Sequence, residues 1–336
     1  MAIRVLVIGG TRFVGLLLAE RLVGMGHHVT LLNRGQHPDP FGSRVERITL
    51  DRRSQAFSRA LGGRTYDAAV DFAAFDAEDA TRAVSALRGS VGHYVCISSG
   101  QVYLVLEGAT RPGAVPTPES AYAGQVSSAP SSPHDREEWL YGVGKRAAED
   151  ILGRAYAEEG FPATCLRLPM VNGERDYHRR VDSYVWRILD GGPLLLPGGG
   201  AHPVRHVHSG AVAEAIVGLL GRGETFGEAY NLAQDELPTL RAFLTLLCEL
   251  VGVRREIVDV PRERFEESGL SPELTSPFSS AWMSCLDPEK AKRRLGFTHE
   301  PLASYLGKVT QALLRERPKE RPEGYGQRAQ ELALVR

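Results

Sequence analysis

The chain has 336 residues, with 40 Lys plus Arg against 41 Asp plus Glu, a formal charge of −1 and a pI near 6.8. That balance gives no global electrostatic case for binding nucleic acid or an anionic membrane, and no apolar run approaches the roughly 20 residues needed to span a bilayer. Cys96, Cys165, Cys248 and Cys285 lie far apart without metal-ligand spacing and the N-terminus has no secretory pattern, so the reading is a cytoplasmic globular protein with reduced thiols and no metal site.

Ile3 to Ile8 reads I-R-V-L-V-I, a short β-branched run suited to a strand buried on both faces. Gly9-Gly10-Thr11-Arg12-Phe13-Val14-Gly15 comes next. Val14, Leu17, Leu18 and Leu22 then recur at helical spacing until Gly24-Met25-Gly26, and Val29 to Leu32 reads as a second strand. Strand, glycine turn, helix, strand is the unit whose helix N-terminus presents free N–H groups to a pyrophosphate. Arginine stands at position 12, where a glycine is expected. At the end of the second strand, where an NAD site wants a carboxylate, the chain has Asn33-Arg34. Arginines at 12 and 34 suit an additional phosphate, so the reading favours NADP, with NAD as the alternative. Gly9, Thr11, Arg12, Phe13, Val14, Gly15, Asn33 and Arg34 are the candidate contacts.

Further on, Arg44 to Leu50 reads as a third strand, with Asp51 and Arg52 at its end either within reach of an adenine or in a solvated turn. Asp67 to Ala74 is a fourth, and its small residues Ala73 and Ala74 let a cofactor lie against the backbone. A helix over 78–87 leads to a fifth strand, His93 to Ile97, which runs into Ser98-Ser99-Gly100-Gln101-Val102-Tyr103. Residues 104–138 are rich in Pro, Ser and Gly without periodicity, and the reading favours a lid. A helix over 137–159 carries Tyr141 and Lys145 one turn apart. Ala163 to Leu168 is the sixth strand, an apolar helix within 207–220 returns to the sheet, and a short strand covers 229–232. Helices are expected at 240–250 and 287–295. The expected architecture is α/β, a Rossmann-type doubly wound parallel sheet. Residues 1–170, with 205–232 returning, form the dinucleotide-binding domain. Residues 171–204 and 233–316 form a smaller, partly interleaved substrate domain, and 317–336, broken by Pro318 and Pro322, a poorly packed tail.

The chemistry gathers on Ser99, Tyr141 and Lys145. A phenol with an ordinary pKa near 10 is a poor base at neutral pH, but a neighbouring ammonium stabilises its phenolate. Tyr141 then exchanges a proton with a substrate oxygen while hydride moves between carbon and nicotinamide, Lys145 holds the ribose, and Ser99 holds the substrate oxygen.

With these motifs the chain resembles an extended short-chain dehydrogenase/reductase of the NAD-dependent epimerase/dehydratase family, in the subgroup whose loop reads G-G-T-R-F-[IV]-G. The likeness runs from Ile3 to about Val309. It includes S-S-x-x-V-Y at 98–103, Y-x-x-x-K at 141–145, L-R-L-P at 166–169, V-H-S-G-A-V-A at 207–213, Y-N-L at 230–232 and D-P-E-K-A…L-G-F at 287–297. The resemblance implies the roles given to Ser99, Tyr141 and Lys145, adds Pro169 to the cofactor contacts, and implies a small-molecule, sugar-like substrate of the nucleotide-sugar class and a homodimer.

Three departures narrow this. Dehydratases of the family carry Asp-Glu where this chain has Gly100-Gln101, and neither of these ionises, which disfavours elimination and leaves epimerisation or carbonyl reduction. Ala211 replaces a usual Asp, with Ser209 the alternative helix cap. Arg205 sits one residue off the register of the family's diphosphate-gripping arginine. Arg180 and Arg205 are the candidate substrate contacts. A rival reading of another class is a binding protein on the same fold, which the resemblance implies because plastid relatives with a similar glycine loop bind RNA; Arg175, Arg179 and Arg180 with Tyr177 and Tyr184 could serve either as a phosphate grip or as a stacking surface for single-stranded RNA. The charge balance and the complete Ser/Tyr/Lys set favour the enzyme.

Overall fold

In the computed structural model, which describes residues 1–335, the strands are β1 (Arg4–Ile8), β2 (His28–Asn33), β3 (Val45–Thr49), β4 (Ala68–Asp71), β5 (Tyr94–Ser99), β6 (Ala163–Leu168), β7 (Met170–Asn172), β8 (Leu194–Pro197), β9 (His206–His208), β10 (Ala229–Asn231) and β11 (Ile257–Val260). The helices are α1 (Phe13–Gly24), α2 (Ala56–Leu61), α3 (Ala77–Leu87), α4 (Gln101–Leu104), α5 (Pro133–Glu159), α6 (Arg180–Leu189), α7 (Ser209–Leu219), α8 (Leu240–Val251), α9 (Arg262–Glu267), α10 (Pro272–Thr275), α11 (Glu289–Leu295), α12 (Leu302–Arg315) and α13 (Arg328–Ala333). None is long and apolar enough to cross a membrane.

Alternation along the strands decides the layering. Val5 and Val7 of β1 enter one core, and Leu6 and Ile8 the other. Burial on both faces is what a parallel sheet between two helix layers requires. Seven parallel strands pair in the order β10-β6-β5-β4-β1-β2-β3, the doubly wound sheet expected from the sequence. Val14, Leu18 and Leu22 of α1 pack with Val212, Ile216 and Leu219 of α7 on one face. Ala80, Ala83 and Leu87 of α3 pack with Ala148, Leu152 and Ala155 of α5 on the other. The order reverses between β1 and β4, so the glycine turn after β1 opens onto the crevice that such a reversal creates. Helix α5 starts four residues before the expected 137, because Ser132 caps it by accepting from Asp135 N–H and Pro133 is preset for the first turn.

A separate core joins α6, α8 and α12. Val181, Tyr184, Val185 and Ile188 repeat at helical spacing, as do Leu240, Phe243, Leu244 and Leu247, and Leu302, Tyr305, Leu306 and Val309. The stretch 104–138 is a strap stitched to the segment 283–287 and to the sheet edge. Gly113 N–H donates to Met283 O at 2.9 Å, Thr117 N–H to Cys285 O at 2.8 Å, and Asp287 N–H to Thr117 O at 3.0 Å. Glu119 Oε1 accepts from Asn231 N–H of the edge strand β10 at 2.7 Å.

Two sequence expectations are corrected. Ser209 does not cap α7: His208 holds the cap position, and Ser209 is the first helical residue, its hydroxyl buried without a partner. Nor is the segment after 316 a poorly packed tail. Glu331 is fully buried and takes the guanidinium of equally buried Arg187 at 2.6 and 3.0 Å, while Arg328 forks onto Asp190 at 2.7 and 3.0 Å. The charges that make this segment look solvated are the ones that dock it. Removing one partner of a buried ion pair strands the other charge, so Glu331→Ala should cost about 3–5 kcal/mol. Chemical denaturation followed by tryptophan fluorescence measures it, and an unshifted midpoint would restore the loose tail.

Candidate active site at the carboxyl ends of the strands

The sequence Tyr141-Gly142-Val143-Gly144-Lys145 lets α5 press onto the strand ends. A Cβ on Gly142 would lie 2.9 Å from Gln101 O and 2.6 Å from Val105 Cγ1, and one on Gly144 would lie 2.5 Å from Phe75 O. At that approach Lys145 is 3% exposed, and its Nζ donates to Ala74 O and Ile97 O, both at 2.8 Å. Two of its three N–H bonds are thereby used. Tyr141 is 39% exposed, with the Lys145 ammonium 5.8 Å from its ring centre. The Phe75 ring is 4.7 Å from Nζ and 6.5 Å from the Tyr141 ring.

Ser99 ends β5, and its Oγ accepts from Gln101 N–H at 3.2 Å, which leaves the hydroxyl hydrogen free to donate elsewhere. Gln101 Nε2 donates to Glu138 Oε2 at 2.5 Å. A Cβ on Gly100 would lie 2.1 Å from Ser284 Oγ, so a longer side chain at 100 would displace Ser284. Tyr103 is held away from any cleft chemistry. It accepts from Arg167 at 2.7 Å and donates to Asn231 at 3.0 Å, and burial pushes its pKa up to about 12.

Beyond Phe75 opens a cavity of about 570 Å³, lined by Gly9, Thr11, Arg12, Phe13, Val14, Gly15, Asn33, Arg34, Asp51, Arg52 and Ala73, and also by Phe72, Phe75 and Tyr177. Gly9 has φ 86°, and a Cβ on Gly15 would lie 2.7 Å from Gly9 O, so both positions need glycine. No side chain caps α1, and its first turn has no acidic residue, which suits an anion at its N-terminus. Arg34 is exposed and makes no ion pair or hydrogen bond among the described residues. Three of the expected contacts are placed differently from the rest. Arg52 lines the cavity, and its guanidinium donates to buried Asp71 at 2.8 and 2.7 Å. Ala74 lies behind the wall and serves through its carbonyl to Lys145. Pro169 is buried outside the cavity lining.

Arg205 is 4% exposed and has no carboxylate within ion-pair distance among the described residues, and its Nε is buried without a partner. Burial lowers its pKa, against the opposing pull of Cys285, Asp235 and Asp287. Next to it in sequence, His206 Nδ1 meets Asn172 Nδ2 at 2.9 Å, while His206 Nε2 and Asn172 Oδ1 lack partners. Burial, reinforced by the Arg180 charge, pushes His206 down to about 3, so the ring is neutral. Among the described residues the Arg180 guanidinium reaches only Asp176, at a long 3.5 Å to each oxygen. By contrast Arg175 forks onto Glu20 at 2.8 and 2.7 Å, and Arg179 is paired with Asp182.

A model of the NAD dependent epimerase/dehydratase family matches residues 5–233. The chain belongs to that family. It is an enzyme of the NAD dependent epimerase/dehydratase type, whose members bind a nicotinamide cofactor, and the site fits one: a glycine turn, an uncapped helix N-terminus and a cavity beside both. Among curated relatives, the chain is 25% identical over 312 residues to the chloroplast stem-loop binding protein of 41 kDa b of Arabidopsis thaliana, covering 88% of this chain and 75% of that one. It is 27% identical over 267 residues to the 2'-dehydrokanamycin reductase of Streptomyces kanamyceticus, covering 78% and 70%. Similar folds include the UDP-glucose 4-epimerase of Thermotoga maritima, solved with UDP-glucose (TM-score 0.73, 19% identity, 93% of this chain and 99% of that one). Another is a dTDP-glucose 4,6-dehydratase of Streptomyces venezuelae with NAD bound (TM-score 0.72, 19% identity, 94% and 98%).

Sequence reasoning missed Phe75 and Glu138 at the site. Phe75 comes directly after the strand-end alanines, where an aromatic reads as core. Glu138 lies one turn before Tyr141 on the same helical face, a spacing that could have flagged it. The closeness of α5 gives a test. Ala is favoured over Gly in helices by up to about 1 kcal/mol, so Gly153→Ala, with open space around it, should stabilise the protein. Gly144→Ala should destabilise it despite the same propensity gain, because overpacking costs about 1–3 kcal/mol. Thermal midpoints moving the same way in both variants would contradict the packing argument.

Proposed function

We propose that this family member is an NADP-preferring reductase or epimerase acting on a hydroxyl or keto carbon of a sugar-like substrate, with nucleotide-sugars the favoured class and Tyr141 the proton-transfer group. The observation that carries the reading is the Lys145 ammonium, buried beneath a half-exposed phenol and fixed by two carbonyls with one N–H to spare. Gly9 to Gly15 and the α1 N-terminus would hold the pyrophosphate, and Arg34 the 2′-phosphate. When bound, the nicotinamide supplies the acceptor or donor of a hydride at the reacting carbon. Tyr141 gives its proton to a substrate carbonyl oxygen in reduction and takes one from a hydroxyl in oxidation. Ser99, whose oxygen already accepts from Gln101 N–H, donates to that same substrate oxygen and fixes it in place. Lys145 directs its remaining N–H to the cofactor ribose and keeps positive charge beneath the phenol.

Arg205, a buried guanidinium without a carboxylate, and the weakly paired Arg180 support an anionic substrate group such as a diphosphate. The named reductase among the relatives supports carbonyl reduction. Elimination is disfavoured: Gly100 is hemmed in by Ser284, and Gln101 is tied to Glu138. The name of the chloroplast relative favours a second reading, RNA binding. Against it, two of the three clustered arginines, Arg175 and Arg179, already hold carboxylates. Buried free cysteines support a reducing, cytoplasmic setting.

Two measurements test this. Tyr141→Phe keeps the ring and the fold, and kcat with NADPH on keto-sugar substrates should fall by about 10²–10⁴-fold with little change in cofactor affinity; a wild-type kcat would end the mechanism. Arg34→Ala should weaken NADPH about ten- to a hundredfold and leave NADH unchanged. Equal losses for the two, in calorimetric titration, would remove the NADP preference.

A further inference from the structure

Arg12 occupies the place where the fingerprint has a glycine, yet its backbone does not need one. At φ −140° and ψ 147° it is extended, and its side chain turns to a residue far along the chain. The guanidinium carbon lies 3.6 Å from the ring centre of Tyr177. Stacking engages the face of the guanidinium and leaves its N–H donors in the plane. Arg12 spends none of those donors among the described residues, and both residues line the cavity.

Tyr177 is itself held. Phe13 meets its ring edge-on at 6.4 Å, and the His178 ring packs at 4.0 Å. Burial and the Arg180 charge push His178 down to about 4, so it adds no second cation to the stack. Two residues before Tyr177, Arg175 forks onto Glu20 of α1 and pins the loop to the outside of that helix. Arg12 is also the N-cap residue of α1, so its charge stands at the anion-accepting end of the helix, whereas Arg34 sits just past β2.

We propose that Tyr177 positions Arg12 to grip the cofactor pyrophosphate, a guanidinium taking over the close approach that a glycine backbone would otherwise provide. The proposal rests on the cofactor reading above. It makes Tyr177, from a loop beyond the glycine-turn sheet, a positioning residue for cofactor binding, and it separates the duty of Arg12 from that of Arg34.

The test titrates full-length wild type, Arg12→Ala, Tyr177→Ala, Tyr177→Phe and the double alanine variant with NADH and NADPH. Both cofactors carry the pyrophosphate, and only NADPH carries the 2′-phosphate. Arg12→Ala should weaken both by the same factor, about tenfold or more. Tyr177→Ala should weaken both by about two- to fivefold, the contribution of a stacked cation. Tyr177→Phe keeps the stacking ring and should restore wild-type affinity, and the double variant should bind no worse than Arg12→Ala, because Tyr177 acts through Arg12. Loss of NADPH affinity alone in Arg12→Ala would assign Arg12 to the 2′-phosphate and overturn the proposal. Unchanged binding in either single alanine variant would overturn it as well, while wild type still binding leaves the cofactor reading intact. A wild type that binds neither cofactor would overturn both.

Discussion

Lys145 places an ammonium at 3% exposure with two backbone carbonyls, and no carboxylate, as its hydrogen-bond partners. Burying a charge without a counter-charge is costly, and here the carbonyl dipoles and the Phe75 ring 4.7 Å away offset part of that cost. The geometry exists only because α5 lacks a Cβ at 142 and 144, so the helix backbone rides directly over Gln101 O and Phe75 O. The same approach sets where Tyr141 projects and brings Glu138 within reach of Gln101. One helix–sheet distance therefore fixes the phenol, the ammonium and the carboxylate together.

What was legible in the sequence was what depends on neighbours along the chain. The alternating strands, the glycine turn, Tyr141 four residues before Lys145, and Arg34 at a strand end are short-range patterns, and the fold reproduces them. What was hidden depends on partners far apart. Gln101 and Glu138 are separated by 37 residues and Arg187 and Glu331 by 144, and each alone looks like a solvated side chain. Arg52 follows the same rule: at a strand end it looks free for a ligand, but Asp71, 19 residues on, takes its charge. Glycines 142 and 144, which look helix-weakening in isolation, are required by contacts that no local pattern displays.

Net charge near zero also conceals how the arginines divide. Arg52, Arg167, Arg175, Arg187 and Arg328 are each committed to carboxylates and build the fold. Arg12, Arg34 and Arg205 form no ion pair among the described residues. An anionic ligand would meet this second group, and the count of charges in the chain gives no hint of it. Pairing, rather than composition, separates scaffold from site.

The Arg187–Glu331 pair ties the order of synthesis to the order of assembly. The seven-stranded sheet is complete once residue 231 has been made, and its two cores need nothing later than α11 and Phe297. Helix α6, by contrast, carries a guanidinium whose buried partner is translated 144 residues afterwards. Until residue 331 has been made, the Arg187 guanidinium has no carboxylate to be buried with. A chain that stopped just short of residue 331 would hold every strand of its sheet and yet leave α6 with a charge that has no buried partner.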